Sequence, residues 1–345
     1  MSSTAQAPDL TAPLKAAPDP PIARTWDALV DQSPQGILYC RDWWLDAVAP
    51  GRYQLLTVRR GDSIRAGWPI VWAERSRHPQ AIVPPLTQKL GILFAKAAGK
   101  YSEELANQHQ LIEELLDQLP ADASIAQNFH ENFTNWLPFY WRGFQQTCRY
   151  TYILDDLTDR DAIWACMRSS TRNKIRKAQK SGLQVTETED LDHFCFVNGK
   201  TFARQGIAVP YSVDFVRRID EACVKHAGRK IFMAVGPDRE VHACLYLVYD
   251  HHCAIHLMSG GDAFLRGDGA GPLLTWESIR FASKVSRRFD FEGSMLQPVE
   301  TYFRGFGARQ TAYFRIWGRP AAPPKSPVRH LLARAFRKAA RILDE

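Results

Sequence analysis

Hydrophobic and polar residues follow two different periods along the first half of the chain. Residues 53–59 and 64–73 alternate as strands do, with a short Gly-Asp turn between them. Residues 102–119 place their leucines and isoleucine at helical spacing, and a further strand is expected near 124–129. The first half is therefore predicted to be mixed α/β.

The second half has the same order of periods. A hairpin, a strand, a helix and two more strands are expected along it. The predicted strands cover 232–235, 241–249, 253–258, 289–291 and 312–317, and the predicted helix covers 273–285.

Short motifs also recur in the two halves, in the same order. The pairs are Tyr39-x-x-Asp42-Trp43 with Tyr211-x-x-Asp214-Phe215, Val58…Ile64-x-Ala66 with Val235…Val241-x-Ala243, and Trp141-Arg142-Gly143-Phe144 with Phe303-Arg304-Gly305-Phe306. Ordered recurrence indicates two copies of one fold. We predict two α/β domains, at 23–154 and 155–319, each with a mixed, mostly antiparallel sheet flanked by helices.

Both ends of the chain differ from these halves. Residues 1–22 are rich in Ala and Pro and are expected to be disordered. Residues 320–328 form a Pro-rich linker, and His330 to Asp344 is predicted to be a basic helix. That helix either docks on the body of the protein or contacts a membrane surface or RNA.

Composition narrows the class of protein. The 345 residues are 45% hydrophobic and 11% aromatic, as in globular proteins, and no apolar run is long enough to span a bilayer. The seven cysteines contain no Cys-x-x-Cys pair, and the N-terminus does not resemble a secretory signal. A cytoplasmic protein is expected. The net charge of +7 favours an anionic partner.

A glycine-rich segment at 259–271 precedes the second-half helix. Its spacing, Arg266-x-x-Gly269-x-Gly271, would let the backbone approach a ligand and present free amides to a pyrophosphate. The residues predicted to bind a cofactor are Arg266, Gly267, Gly269, Ala270 and Gly271. The alternative is an ordinary loop, since loops are generally rich in glycine.

Two carboxylates lie two positions apart on the last short strand. Because side chains alternate along a strand, Asp290 and Glu292 are expected on one face, with Phe289 and Phe291 on the other. Such a pair suits acceptor binding and general-base catalysis, and mutual repulsion would raise one pKa. The alternative is structural: Asp290 caps a turn and Glu292 pairs with an arginine.

Further candidates surround this pair. Tyr302 and Tyr313 are candidate proton donors to the leaving group, although most tyrosines serve packing. His256 is predicted to line the cleft. No carboxylate or cysteine stands at ligand spacing from the histidines, so no metal site is proposed.

The densest basic run of the chain is at 168–180. Arg172, Arg176 and Lys180 recur every four residues on one predicted helical face, with Lys177 beside them. This stripe could bind phosphates of tRNA, of CoA or of a nucleotide-linked acceptor. A solvated helix face is the alternative.

Together these motifs resemble the GNAT acyltransferases. The resemblance rests on strand, hairpin and strand followed by Arg266-x-x-Gly269-x-Gly271 at a helix start. The duplication, the basic segment, and Asp290 to Ser294 followed by Phe303 to Phe306 are more specifically similar to the Fem-type branch. The resemblance covers roughly residues 24–318 and implies tandem GNAT-like domains and acyl transfer to an amine.

The resemblance implies a donor but leaves its identity open. The glycine loop favours acyl-CoA, towards which we lean, whereas the duplication and the basic segment favour aminoacyl-tRNA, the donor of some Fem-type transferases. In the first half Gln127 and Phe129 replace Asp290 and Glu292, so the second half is expected to hold the donor and the base, with Asp290 acting through water. The first half would shape a groove for a small-molecule or peptide amine. A non-catalytic binding protein is a further alternative.

Overall fold

The computed structural model describes most of the chain between Arg24 and Ala321. The described ranges are 24–74, 78–96, 99–226, 228–262, 268–293 and 295–321. The predicted N-terminal tail at 1–22, the C-terminal basic helix and most of the Pro-rich linker lie outside these ranges. So do two of the predicted cofactor-binding residues, Arg266 and Gly267.

Within these ranges the chain forms ten α-helices and a short 3-10 helix. The 3-10 helix is Leu38–Cys40, and the α-helices are α1 (Trp26–Gln32), α2 (Asp42–Val48), α3 (Tyr101–Leu116), α4 (Leu137–Trp141), α5 (Arg160–Cys166), α6 (Ser169–Lys180), α7 (Leu191–Arg204), α8 (Val213–His226), α9 (Ala270–Ala282) and α10 (Gln297–Arg304). Several of them begin just after a residue whose side chain accepts a hydrogen bond from an amide of the first turn, among them Thr25, Asp159, Asp190 and Ser212.

The eight strands that the sequence predicts are present, with boundaries shifted by a few residues, together with four in the described ranges that were not predicted. They are β1 (Tyr53–Arg60), β2 (Ser63–Trp72), β3 (Gln80–Ile82), β4 (Leu93–Phe94), β5 (Ser124–Asn128), β6 (Gln145–Leu154), β7 (Gln184–Thr188), β8 (Gly228–Val235), β9 (Val241–Tyr249), β10 (Cys253–Gly261), β11 (Arg288–Asp290) and β12 (Arg309–Gly318). The mixed α/β class is confirmed.

All of these strands belong to one sheet, in the order β1-β2-β3-β5-β12-β6-β11-β10-β9-β8-β7, with β4 against β2. The expectation of a separate sheet for each half is therefore wrong. The last strands of the two halves are exchanged: β12 pairs with β5 of the first half, and β6 pairs with β11 of the second. The exchanged strands pair with each other along nine positions and join the halves.

The recurring motifs occupy equivalent places in this sheet. Tyr39 precedes α2 and Tyr211 precedes α8. The two Arg-Gly-Phe corners connect α4 to β6 and α10 to β12. The boundary between 154 and 155 remains a prediction, because the exchange leaves the two halves hydrogen-bonded through a continuous sheet.

Three hydrophobic cores cover the two faces of the sheet. On one face α1, α2, α7 and α8 share a single core that spans both halves. On the other face α5, α6 and α9 cover the second half, and α3 and α4 cover the first. Among the described residues, no helix is long and apolar enough to cross a membrane.

Candidate active site

The two predicted carboxylates lie at the end of β11, in the middle of the sheet. Phe289 and Phe291 are fully buried in the core beneath α9, as alternation requires. Asp290 points to the opposite face, where it is 2% exposed. Glu292 follows the strand, is half-buried, and has a left-handed backbone φ of 55°. Its amide donates to Asp290 Oδ1 at 2.9 Å, which fixes the two carboxylates side by side.

Asp290 is held by partners from elsewhere in the chain. Lys89 Nζ donates to its Oδ2 at 2.7 Å, and Thr151 Oγ1 donates to its Oδ1 at 2.5 Å. Lys89 is fully buried and also contacts Glu131 Oε2 at 2.8 Å. Arg288 donates to the other oxygen of Glu131 at 2.8 Å. Negative and positive groups thus alternate along a buried chain of four residues.

The neighbouring charges keep Lys89 and Glu131 in their charged forms. Burial alone would lower the pKa of Lys89, but the carboxylates of Asp290 and Glu131 raise it well above its usual value. Burial would raise the pKa of Glu131, but the Lys89 cation holds it well below its usual range. Lys89 and Glu131 therefore stay charged near neutrality, and both oxygens of Asp290 accept hydrogen bonds. This arrangement supports a positioning role for Asp290 rather than the base role expected from the sequence.

Glu292 is in a different electrostatic state. Loss of water around its carboxylate, reinforced by the charge of Asp290, raises its pKa to about 8, although a hydrogen bond from Tyr39 opposes the shift. Tyr39 comes from the first half and is fully buried. The raised pKa predicted for one member of the carboxylate pair thus falls on Glu292. A carboxyl group that titrates near neutrality can exchange protons with a substrate.

The corresponding positions of the first half serve packing. Gln127 is fully buried and accepts a hydrogen bond from Trp68 Nε1 at 2.8 Å. Phe129 lies in the core beneath α3 and contacts the rings of Phe133 and Phe139. Neither position carries a group that could titrate, which supports the expectation that the chemistry belongs to the second half.

The strands that hold this site part immediately beside it. β10 and β11 pair in parallel only from Cys253 to Ile255, and Ile255 lies opposite Asp290. Beyond that point β10 continues to Gly261 along β9 alone, with a bulge between His256 and Met258. Beyond Ile255 the edge of β10 that faced β11 has no strand partner among the described residues.

His256 lies at this divergence. It is 4% exposed, contacts the ring of Phe303, and has no hydrogen-bond partner for either ring nitrogen among the described residues. Burial lowers its pKa to about 4, so the ring is neutral. An unpaired buried imidazole is costly, and its position supports the predicted role in lining the cleft.

The start of α9 offers less to a pyrophosphate than its glycines indicate. Asp268 Oδ1 already accepts from the Ala270 amide at 2.8 Å, and Pro272 has no amide. Gly269 has a φ of 88°, and a Cβ added to it would lie 2.3 Å from the carbonyl oxygen of Lys174 on α6. Gly269 therefore permits close packing of two helices. Gly271 faces the hydroxyl of Tyr302, with room for a Cβ.

The two candidate tyrosines lie on opposite faces of the sheet. Tyr302 Oη is 2.8 Å from Thr275 Oγ1 of α9, and burial raises the pKa of its hydroxyl. Tyr313 lies on β12 beside the carboxylates, with its ring 5.9 Å from Lys89 Nζ. Burial also raises the pKa of Tyr313. Only Tyr313 shares the face of Asp290.

The basic segment forms α6 as predicted, but its side chains have different roles. Arg172 donates to the carbonyls of Trp164, Ala165 and Met167 at the end of α5, which is a structural function. Arg176 stacks over the ring of Trp164. Lys177 and Lys180 are exposed. The exposed cations thus belong to a helix that packs against the start of α9.

Several residues of the site were not predicted from the sequence. Lys89, Glu131 and Thr151 contact Asp290 or its partner, and Tyr39 contacts Glu292. Two signals were present. Tyr39 belongs to a recurring motif. Lys89 lies in residues 84–91, between β3 and α3, where the second half has its glycine-rich segment between β10 and α9.

Comparison with known proteins agrees with this geometry. Residues 166–304, which include α6, α9 and both carboxylates, match the family model described as an acetyltransferase (GNAT) domain. This part of the chain is therefore similar to GNAT acetyltransferase domains. No curated protein sequence matches the chain.

Solved structures share the fold over nearly the whole chain. The crystal structure of FemX superposes with a TM-score of 0.64 at 12% identity, covering 84% of this chain and 94% of that one. L-PGS from Bacillus licheniformis superposes with a TM-score of 0.52 at 10% identity, covering 93% and 98%. The C-terminal domain of a putative lysylphosphatidylglycerol synthetase from Agrobacterium fabrum gives 0.52 at 11% identity, covering 85% and 92%. The GNAT domain thus lies within a Fem-like fold.

Proposed function

We propose that the protein transfers an acyl group from an activated donor to an amine acceptor, with Glu292 as the general base. The observation that carries this proposal is the raised pKa of Glu292, about 8, at the point where β10 leaves β11. A base with a pKa near the working pH is efficient because it is available as carboxylate and still accepts a proton readily.

The reaction is a direct transfer. The Glu292 carboxylate removes a proton from the acceptor amine, whose nitrogen then attacks the carbonyl carbon of the donor. The oxyanion that forms is stabilised by a backbone amide at the bulge of β10. The bond to the leaving group breaks, and that group departs with a proton. Tyr313 is the tyrosine on the correct face to supply it.

Aminoacyl-tRNA is the donor that the surroundings of this site support best. A CoA pyrophosphate at the start of α9 would meet the Asp268 carboxylate and few free amides. The exposed cations of α6 belong to the helix that packs against the start of α9, and they suit the phosphates of a nucleic acid. The structural likeness to FemX agrees with this choice.

Acyl-CoA is the second candidate. Gly271 could carry a Cβ without a clash, and the pairing of β10 with β11 ends at Ile255, where an extended acyl chain could enter between the strands. The contacts at the start of α9 weaken the preference for acyl-CoA that the glycine spacing indicates. Acyl-CoA is therefore retained as the second donor to be tested.

The experiment compares the two donors directly. Release of free tRNA from aminoacyl-tRNA, and of CoA thiol from acetyl-CoA, is followed with a panel of amines for the wild type and the Glu292→Gln variant. The matched control is Glu240→Gln, in the exposed β8–β9 turn. We expect amine-dependent turnover with aminoacyl-tRNA, lost in Glu292→Gln and retained in the control. Equal turnover in Glu292→Gln would refute the assignment of the base, and turnover with acetyl-CoA alone would reverse the choice of donor.

A further inference from the structure

The exchanged strands present a polar row on the face that carries the carboxylates. Directly opposed residues of antiparallel strands project to the same side, and Thr151 pairs with Thr311, Arg149 with Tyr313, and Thr147 with Arg315. Because Thr151 binds Asp290, all six side chains lie on the Asp290 side of the sheet. We call these six residues the β6–β12 row.

Two arginines of this row have no acidic partner. Neither Arg149 nor Arg315 forms an ion pair with any described residue. Arg149 interacts with the hydroxyl of Tyr313, and its Nε is buried without a hydrogen-bond partner in the described chain. Arg315 is half-buried. Two guanidinium groups with unused donors on one side of a sheet form a potential anion site.

The first half contributes polar groups to the same place. Asn128 of β5 lies directly opposite Arg315 on its other side. Its side chain donates to the backbone oxygen of Gln88 at 2.8 Å. The side-chain oxygen of Gln88 is buried and has no partner among the described residues. Asn128 thus joins the row at Arg315 to the segment that carries Lys89, the residue that holds Asp290.

We propose that the β6–β12 row binds an anionic group of the acceptor, a carboxylate or a phosphate, while the acceptor amine lies at Glu292. This inference rests on the proposed function. The donor approaches between β10 and β11, whereas the row lies on the other side of β11. The anion that the arginines would bind therefore belongs to the acceptor.

The spacing of the row defines the length of that acceptor. Two residues along a strand advance by roughly 7 Å, so Arg149 lies about one such step from Thr151 and Arg315 about two. An amine at Glu292 and an anion at the arginines are then separated by roughly 7–13 Å. An extended peptide of about two to four residues spans this distance, whereas a single α-amino acid does not.

The test measures anion binding separately from catalysis. Inorganic pyrophosphate is titrated calorimetrically into the wild type, Arg149→Gln, Arg315→Gln and the control Arg59→Gln, at the β1–β2 turn. We expect binding that weakens with added salt, at least tenfold weaker in each of the first two variants and unchanged in the control. Arg315 has no described partner, so its loss leaves the fold intact. Absent binding to the wild type, or equal binding to all variants, would overturn the inference.

Two further arms identify which substrate carries the anion. Triglycine should outcompete triglycinamide for the pyrophosphate site, and pyrophosphate at constant ionic strength should leave aminoacyl-tRNA retention on filters unchanged. Displacement of the donor by pyrophosphate would assign the arginines to the donor and refute the acceptor site. Glu292→Gln should keep pyrophosphate binding. If no donor is consumed while pyrophosphate binding still depends on both arginines, the proposed reaction fails and the anion site stands.

Discussion

Lys89 and Asp290, 201 positions apart in sequence, form a buried ion pair of 2.7 Å that joins the two halves of the protein. The lysine comes from the first-half segment that corresponds to the glycine loop, and the aspartate comes from the second-half strand that carries the carboxylates. The half without a donor loop thus supplies the cation that orients the other half's site. The two similar halves thus contribute different residues to the same candidate site.

Removal of Lys89 should strongly destabilise the protein. Lys89→Met leaves two buried carboxylates, Asp290 and Glu131, short of a cation, and breaking one partner of a buried pair typically costs about 3–5 kcal/mol. Urea denaturation measures the free energy of unfolding. The control is Lys230→Met, whose partially exposed pair with Glu187 should contribute at most about 1 kcal/mol. A loss for Lys89→Met no larger than the control's would contradict the buried network.

The stability of the protein should depend on pH through Glu292. Its pKa is about 8 in the folded state and near 4.5 in an unfolded chain, so the folded state binds more protons between these values. Stability should therefore fall as pH rises from about 4.5 to about 8. The Glu292→Gln variant should lack this contribution. The difference between wild type and variant at pH 5.5 and pH 8.5, measured by urea denaturation, isolates it from the histidines. A difference independent of pH would show that Glu292 titrates normally.

Two neighbouring glycines should respond differently to alanine. Gly269→Ala places a Cβ against the Lys174 carbonyl at a φ of 88°, and strain of this kind costs about 1–3 kcal/mol. Gly271→Ala meets only ordinary contact with Tyr302 and, inside a helix, should be neutral or stabilising by up to about 1 kcal/mol. Thermal unfolding compares the two. Because Gly271→Ala should fold, its donor affinity shows whether the donor must approach the backbone at that position. Equal stability of both variants would refute the packing role of Gly269.

The arginines and lysines of α6 should separate into structural and binding residues. Arg172→Ala loses three hydrogen bonds to carbonyls at the end of α5 and should cost about 1–3 kcal/mol of stability. Lys180→Ala should leave stability unchanged and reduce the salt dependence of tRNA binding, by a log–log slope of about 0.7–0.9 for one lost phosphate contact. Filter binding across a salt series gives that slope. An unchanged slope in Lys180→Ala would place the tRNA elsewhere.

The sequence predicts the local structure well wherever a helix or strand has its own periodicity of hydrophobic and polar residues. Alternation locates β9 at Val241–Tyr249, and the order of motifs reveals the repeated arrangement of helices and strands. Asp290 and Glu292 are also predictable, since two polar residues alternate with two phenylalanines on a short strand.

The periodicity of hydrophobic and polar residues does not predict the long-range contacts of the site. Nothing in the sequence shows that β6 and β12 exchange places in the sheet, because β12 is predicted as an ordinary last strand of its own half and β6 is not predicted as a strand. Lys89 and Tyr39 reach the carboxylates only through that exchanged geometry. The roles of Asp290 and Glu292 likewise depend on which of the two receives the lysine, and only the folded structure decides this.

The two carboxylates should therefore differ in catalysis. Glu292→Gln removes the proposed base while keeping its shape, and turnover should fall by about 10²–10⁴ with little change in donor affinity. The wild-type rate should rise with pH towards a plateau above about 8, as Glu292 loses its proton, and the residual rate of Glu292→Gln should lack that rise. Asp290→Asn instead leaves Lys89 with one carboxylate, so we expect lower stability and a higher KM for the acceptor. The rise of rate with pH should be kept but move to lower pH, because the Asp290 charge helps to raise the pKa of Glu292. Initial rates from pH 6 to pH 9 for the three proteins separate these roles. A pH-dependent rise that disappears in Asp290→Asn and persists in Glu292→Gln would return the base to Asp290.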